Sequence, residues 1–92
     1  GSHGERLNVD CKRFDDLTAD HFAQLAAMNT ELLIFGSGNR LRFPQPVWIK
    51  PLIDKQTGIE TMDTQAACRT YNILAGEGRR VAVALLIETA PG

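Results

Sequence analysis

The first strongly apolar run of the chain, Leu32-Leu33-Ile34-Phe35, feeds directly into Gly36-Ser37-Gly38-Asn39-Arg40. In doubly wound folds, ligands gather at the carboxyl ends of strands. Glycines there let backbone N–H groups approach an anion. This segment completes neither nucleotide signature. A dinucleotide fingerprint needs a further glycine where Leu41 stands, and a helix that opens at once, which Pro44 and Pro46 delay. A phosphate loop needs Gly-Lys-Ser/Thr, which does not follow. The simpler reading of the same glycines is a tight turn that requires positive φ.

A second set of polar residues, Asp63 and Thr64, follows Ile59 to Met62, which reads as a short strand. If that strand runs parallel to Leu32–Phe35, Asp63, Thr64 and Ser37 line one crevice. The competing reading is that Asp63 or Thr64 caps the next helix. Cys68 lies early in that helix beside Arg69, a setting in which cysteines act as nucleophiles. A nucleophile needs a base, and His21 is the one imidazole left once His3 is set aside. A buried, inert thiol is the simpler reading. Cys11 and Cys68 pair only if the fold brings them together. No cysteine or histidine cluster has metal-ligand spacing, so neither metal nor cofactor is expected.

Tyr71-Asn72 and Glu77, Arg79 and Arg80 form the last group. Tyr71 reads as a core residue with its hydroxyl on a polar partner. Asn72 is a poor interior-helix residue, which suggests a side-chain bond to a loop or a contact with a ligand. Glu77 and Arg79 have the spacing of a weak surface ion pair. The candidate ligand-binding residues are therefore Gly36, Ser37, Gly38, Asp63, Thr64, Tyr71 and Asn72.

The elements that must position these residues follow from periodicity. A short strand is expected within Leu7 to Phe14, where alternation is partial. Thr18 is placed to cap a helix over 19–28, with Leu17 and Phe22 at the spacing of a hydrophobic staple. The run Leu32–Phe35 has no polar alternation, as in strands buried on both faces. Pro46 suits a first helical residue, and the helix it opens reaches about Gln56. Pro51 should kink that helix or delay its start. Gly58 is expected as its left-handed cap. A third helix spans Gln65 to Ala75, and Arg80 to Ile87 forms a second strongly apolar strand. Alternating helices and strands imply a layered α/β sandwich.

Composition narrows the function classes. The 92 residues carry ten Lys plus Arg against eleven Asp plus Glu, a net charge of -1. That balance argues against nucleic acid as a partner. No apolar run approaches the roughly 20 residues of a membrane span. Two cysteines are too few for a disulfide scaffold, and no secretory signal order is present, so a reducing cytoplasm is the expected compartment. Gly1-Ser2-His3 reads as an expression-tag remnant, leaving residues 4–92 as one α/β domain.

Four blocks together resemble a known family. They are Leu33-Ile34-Phe35-Gly36-Ser37-Gly38, Gly58-Ile59-Glu60-Thr61-Met62-Asp63-Thr64, Ala66-Ala67-Cys68-Arg69-Thr70-Tyr71-Asn72-Ile73-Leu74 and Glu77-Gly78-Arg79-Arg80-Val81. The family is a small conserved domain of unknown function with a methanogen archaeal prototype. It includes NADH dehydrogenase (complex I) assembly factor 3 and an adipogenesis-associated protein. The resemblance implies a three-layer α/β sandwich with a central mixed sheet whose last strand runs antiparallel. Further N-terminal strands are usual in the family ahead of the segment matching Asn8 to Asp16. Their expected lack here would leave a sheet edge uncovered and favour a homodimer. No catalytic mechanism is established for the family, and the residues lean away from an enzyme. The function expected is a non-enzymatic accessory or protein-interaction domain with an unidentified protein partner, linked by resemblance to complex I assembly. The alternative is a small-ligand or anion site at Gly36–Gly38, Asp63 and Thr64.

Overall fold

The structure is a computed structural model that describes residues 4–8, 13–28 and 30–87. Four strands, β1 (Gly4–Asn8), β2 (Leu32–Gly36), β3 (Gly58–Met62) and β4 (Val81–Leu85), form one sheet in the order β1-β4-β2-β3. Between them lie a short 3-10 turn at Phe14–Asp16 and three helices, α1 (Ala19–Ala26), α2 (Pro46–Asp54) and α3 (Thr64–Gly76). The two apolar runs lie side by side at the centre, with Leu32 opposite Val81 and Gly36 opposite Leu85. All three strand pairings are parallel. The helix-covered α/β sheet is as expected, but the antiparallel last strand implied by the resemblance is not: β4 runs parallel to both neighbours.

Crossover handedness explains the layers. The steps β1 to β2 and β2 to β3 move the same way across the sheet, so right-handed crossovers put α1 and α2 on one face. The step β3 to β4 moves back, which sends α3 to the other face. The buried side chains follow that division. Phe22 and Leu25 of α1, and Trp48 and Leu52 of α2, pack on Leu33, Phe35, Ala82 and Ala84. Ala67 and Tyr71 of α3 pack on Ile34, Val81, Val83 and Leu85. The alanines of β4 leave room for an aromatic cluster, in which Phe22 meets Phe35 edge-on at 5.4 Å and stacks on Trp48 at 6.3 Å. Full burial of one such side chain contributes about 1.5–3 kcal/mol.

Helix ends account for most boundary differences. Leu17 and Phe22 are both buried, as a staple requires. The N–H of Thr18 donates to Nδ1 of His21 at 3.0 Å. Helix α1 stops at Ala26, two residues early. Helix α2 begins at Pro46 and continues through Pro51 to Asp54, so the delayed start is corrected. Its left-handed cap is Gln56 (φ 59), and Gly58 already belongs to β3. The N–H of Thr57 reaches Leu52 O and that of Gln56 reaches Ile53 O, which makes a Schellman motif. Helix α3 ends identically around Gly78 (φ 83), with Arg79 N–H on Leu74 O and Gly78 N–H on Ala75 O. Strand β1 starts earlier than expected, and Phe14 lies in the 3-10 turn. Residues 9–12 of the expected strand, Cys11 among them, lie outside the described residues.

Candidate functional site

Parallel pairing sets Gly36 level with both Met62 and Leu85, so the exits of β2, β3 and β4 share one sheet edge. From that edge β2 leads forward into α2, and β3 leads back into α3. The chain therefore divides between the two exits, at the topological switch point where ligands of open α/β sheets bind. Ser37, Gly38, Asp63 and Thr64 stand there together.

Their polar groups are turned on one another. Ser37 is fully buried. Its N–H donates to Met62 O at 2.8 Å, continuing the strand ladder past the end of β2. Its hydroxyl donates to Arg40 O at 2.8 Å and accepts the Arg42 N–H at 3.0 Å. Gly38 and Thr64 are joined twice: the Gly38 N–H donates to Thr64 Oγ1 at 3.0 Å, and the Thr64 N–H donates to Gly38 O at 2.9 Å. The Thr64 hydroxyl donates in turn to Leu86 O at 3.0 Å. Asp63 Oδ1 accepts the Ala66 N–H at 2.8 Å, which makes Asp63 the cap of α3. These bonds fasten the loop after β2 to the exits of both neighbouring strands.

The two glycines have different roles. Gly38 takes φ 103, so the tight-turn reading holds at that position. Gly36 is ordinary strand. A Cβ there would lie 3.0 Å from Leu85 Cδ2, 3.1 Å from Ala67 Cβ and 3.1 Å from Thr64 Cα. Glycine at position 36 thus lets the first turn of α3 approach the sheet edge.

What remains open is a cavity of about 210 Å³ lined by Gly38, Asn39, Asp63, Thr64 and Gln65. It falls below the roughly 300–1,000 Å³ of typical ligand pockets. The α3 N–H groups of Thr64, Ala66 and Ala67 are already taken, by Gly38 O, Asp63 Oδ1 and Asp63 O. Tyr71 and Asn72 lie two turns further along α3, about 10 Å from Thr64 at 1.5 Å per residue. Tyr71 is buried against β4 and β2, and Asn72 is exposed. Neither is brought to the switch point.

The remaining groups are dispersed. Cys68 is half-buried and packed on the α3 side of the sheet. His21 belongs to α1 on the other side, so the sheet separates the two. Arg79 pairs through Nε with Glu31 Oε1 at 3.1 Å, not with Glu77. Among the described residues no three His, Cys, Asp or Glu side chains gather where they could hold a metal. No helix among them is long and apolar enough to cross a membrane.

A larger hollow of about 380 Å³ opens at the opposite sheet end, lined by Thr30, Glu31, Lys55, Gln56, Thr57 and Arg80. Sequence periodicity gave no signal for it, because its walls come from three separate connections. Lys55 caps the end of α2, where the partial negative charge of the helix carbonyls attracts a cation.

The chain is similar to a Bordetella parapertussis protein of known crystal structure, with 47% identity and a TM-score of 0.78, over 85% of this chain and 67% of that one. It is similar to a Bordetella pertussis protein solved by NMR and described as a Mth938-like domain, with 38% identity and a TM-score of 0.74, over 84% and 64%. NADH dehydrogenase [ubiquinone] 1 alpha subcomplex assembly factor 3 of Bos taurus is 29% identical over 79% of this chain, which spans 41% of that relative's length. A family model described as a protein of unknown function (DUF498/DUF598) matches residues 2–86, and the chain belongs to that family.

Proposed function

We propose that the chain is a non-enzymatic accessory domain that binds a protein partner during assembly of a respiratory NADH dehydrogenase. The observation that carries this reading is the closed polar network at the switch point. The hydroxyls of Ser37 and Thr64 spend their hydrogen bonds on the fold, and Asp63 Oδ1 caps α3, so the hydroxyls that could act as nucleophiles at the switch point are committed to backbone groups. Relatives named as NADH dehydrogenase assembly factor 3 support the choice of process. Chemical cross-linking in the source cells, followed by mass spectrometry, tests it. Cross-links to NADH dehydrogenase subunits are expected, together with less assembled complex when the gene is deleted. Normal complex levels and no such cross-links would refute the reading.

A second reading rests on the 210 Å³ cavity between Gly38, Asp63 and Thr64. It makes the switch point a site for a small anion or carboxylate. A thermal-shift screen with phosphates, nucleotides and carboxylates tests it, because a ligand that prefers the folded chain raises its melting temperature. A flat screen removes it.

A further inference from the structure

The loop that Ser37 fastens carries an unusual display. Arg42 turns inward: its N–H is held by the Ser37 hydroxyl, its Nη2 donates to Ser37 O at 3.1 Å, and its guanidinium lies 4.7 Å over the Phe14 ring. Its neighbours turn outward. Leu41 is 51% exposed, Phe43 69% and Val47, on the first turn of α2, 62%. Pro44 and Pro46 restrict the backbone between them. Apolar side chains are thus held in solvent by a segment anchored from within.

Charge narrows what such a surface accepts. From Leu32 to Ile53 the chain contains Arg40, Arg42 and Lys50 and no acidic residue, although the whole chain has a net charge of -1. Lys50 is paired with Asp54 at 3.0 Å. Arg40 is exposed, and its guanidinium makes no ion pair among the described residues. Exposed Phe with Arg, and no Lys, Glu or Asp from Asn39 to Val47, is the composition of the centre of a protein interface. A loop already ordered loses little entropy on binding. An anionic bilayer is a poorer match. Attraction to it grows by about 1 kcal/mol per basic residue near the surface, and this face offers few.

We propose that Leu41, Phe43 and Val47, with Arg40 beside them, are the docking surface for an acidic, apolar segment of a partner protein. This rests on the protein-binding reading above and gives that partner a chemistry. The test is selection of a random-peptide library, displayed on phage, against the immobilised full chain. Enriched peptides should combine Asp or Glu with aromatic or aliphatic residues. They should lose about tenfold or more in affinity for Phe43→Ser and for Arg40→Glu. Phe43 is largely exposed, so both variants should unfold at the wild-type temperature, which separates lost binding from lost fold. Peptides that ignore both substitutions, or a selection that enriches nothing, overturn the proposal. So does Phe43-dependent binding to phosphatidylglycerol vesicles without peptide binding, and so does a homodimer that Phe43→Ser dissociates. Cross-links to NADH dehydrogenase subunits that persist in Phe43→Ser overturn this surface and leave the assembly reading intact. Their absence from the wild type overturns the assembly reading itself.

Discussion

Thr64 shows how one side chain serves two strands and a helix at once. Its hydroxyl accepts from Gly38 N–H and donates to Leu86 O, which ties the exits of β2 and β4 to the start of α3. Thr64→Val keeps the shape and strands both partners, so it should cost about 1–3 kcal/mol. Thr64→Ser keeps the hydroxyl and should cost less than half of that. Urea unfolding of the two variants measures the difference, and equal losses would mean that the hydroxyl is not the stabilising group. Gly36 tests packing at the same place. Alanine there meets Leu85 and Ala67 side chains and the Thr64 backbone at 3.0–3.1 Å. Relief requires α3 to shift, at a cost of about 1–3 kcal/mol, read as a lower denaturant midpoint. The sequence made Ser37, Asp63 and Thr64 legible as neighbours, because parallel strands bring their carboxyl ends to one edge. It did not reveal their bonds, since Thr64 and Leu86 meet only through the tertiary path of β4. Tyr71 and Asn72 were legible as helical residues, but helical rise carries them away from the crevice.

At the scale of elements, the two Schellman caps are a matched pair with unlike residues at the left-handed position. Gly78 occupies it after α3, and Gln56 after α2. A left-handed conformation costs a residue with a Cβ about 1–2 kcal/mol relative to glycine. Gln56 is exposed, so its side chain contributes little packing to offset this. Gln56→Gly should therefore stabilise the chain, by up to about 1 kcal/mol after the greater freedom of glycine in the unfolded state is subtracted. A thermal melt that falls rather than rises would show that Gln56 holds α2 by another contact. Glycine position misled the sequence reading here: Gly58 lay two residues downstream of the true turn, where it opens β3. The central strands were legible for a physical reason. With α1 and α2 on one face and α3 on the other, Leu33–Phe35 and all of β4 are buried, and no polar alternation survives. Strand β1 was obscure because Gly-Glu-Arg-Leu-Asn carries almost no apolar signal. Among the described residues it pairs on one side only, with β4, so that partner defines it more than its own composition does.

For the molecule as a whole, position in the order β1-β4-β2-β3 sets how protection should be distributed. Strands β2 and β4 each have a hydrogen-bonded neighbour on both sides and a helix layer over each face. Strand β3 has one neighbour among the described residues, and all its residues are half-buried or exposed. Local opening is easiest where few apolar contacts and one row of hydrogen bonds must be broken. Amide hydrogen exchange should therefore be slowest at Leu33–Phe35 and Ala82–Ala84, where release of an amide requires separation of the aromatic layer from the α3 layer. Amides of Ile59–Thr61 should exchange faster, through detachment of β3 that leaves the centre intact. The network at the carboxyl edge modifies this gradient at one end. Gly58 N–H bonded to Glu31 O holds the start of β3 by one bond, whereas Ser37 N–H on Met62 O and the two bonds between Gly38 and Thr64 hold its exit, so opening should begin at Gly58 and spread toward Met62. Ser37→Ala leaves that backbone bond in place but frees Arg40 and Arg42 from the hydroxyl. It should loosen the displayed loop without changing exchange in β4. Equal protection of β3 and β2 would contradict the edge assignment. Fast exchange throughout β4 would contradict the two-layered cover on which the rest of the architecture depends.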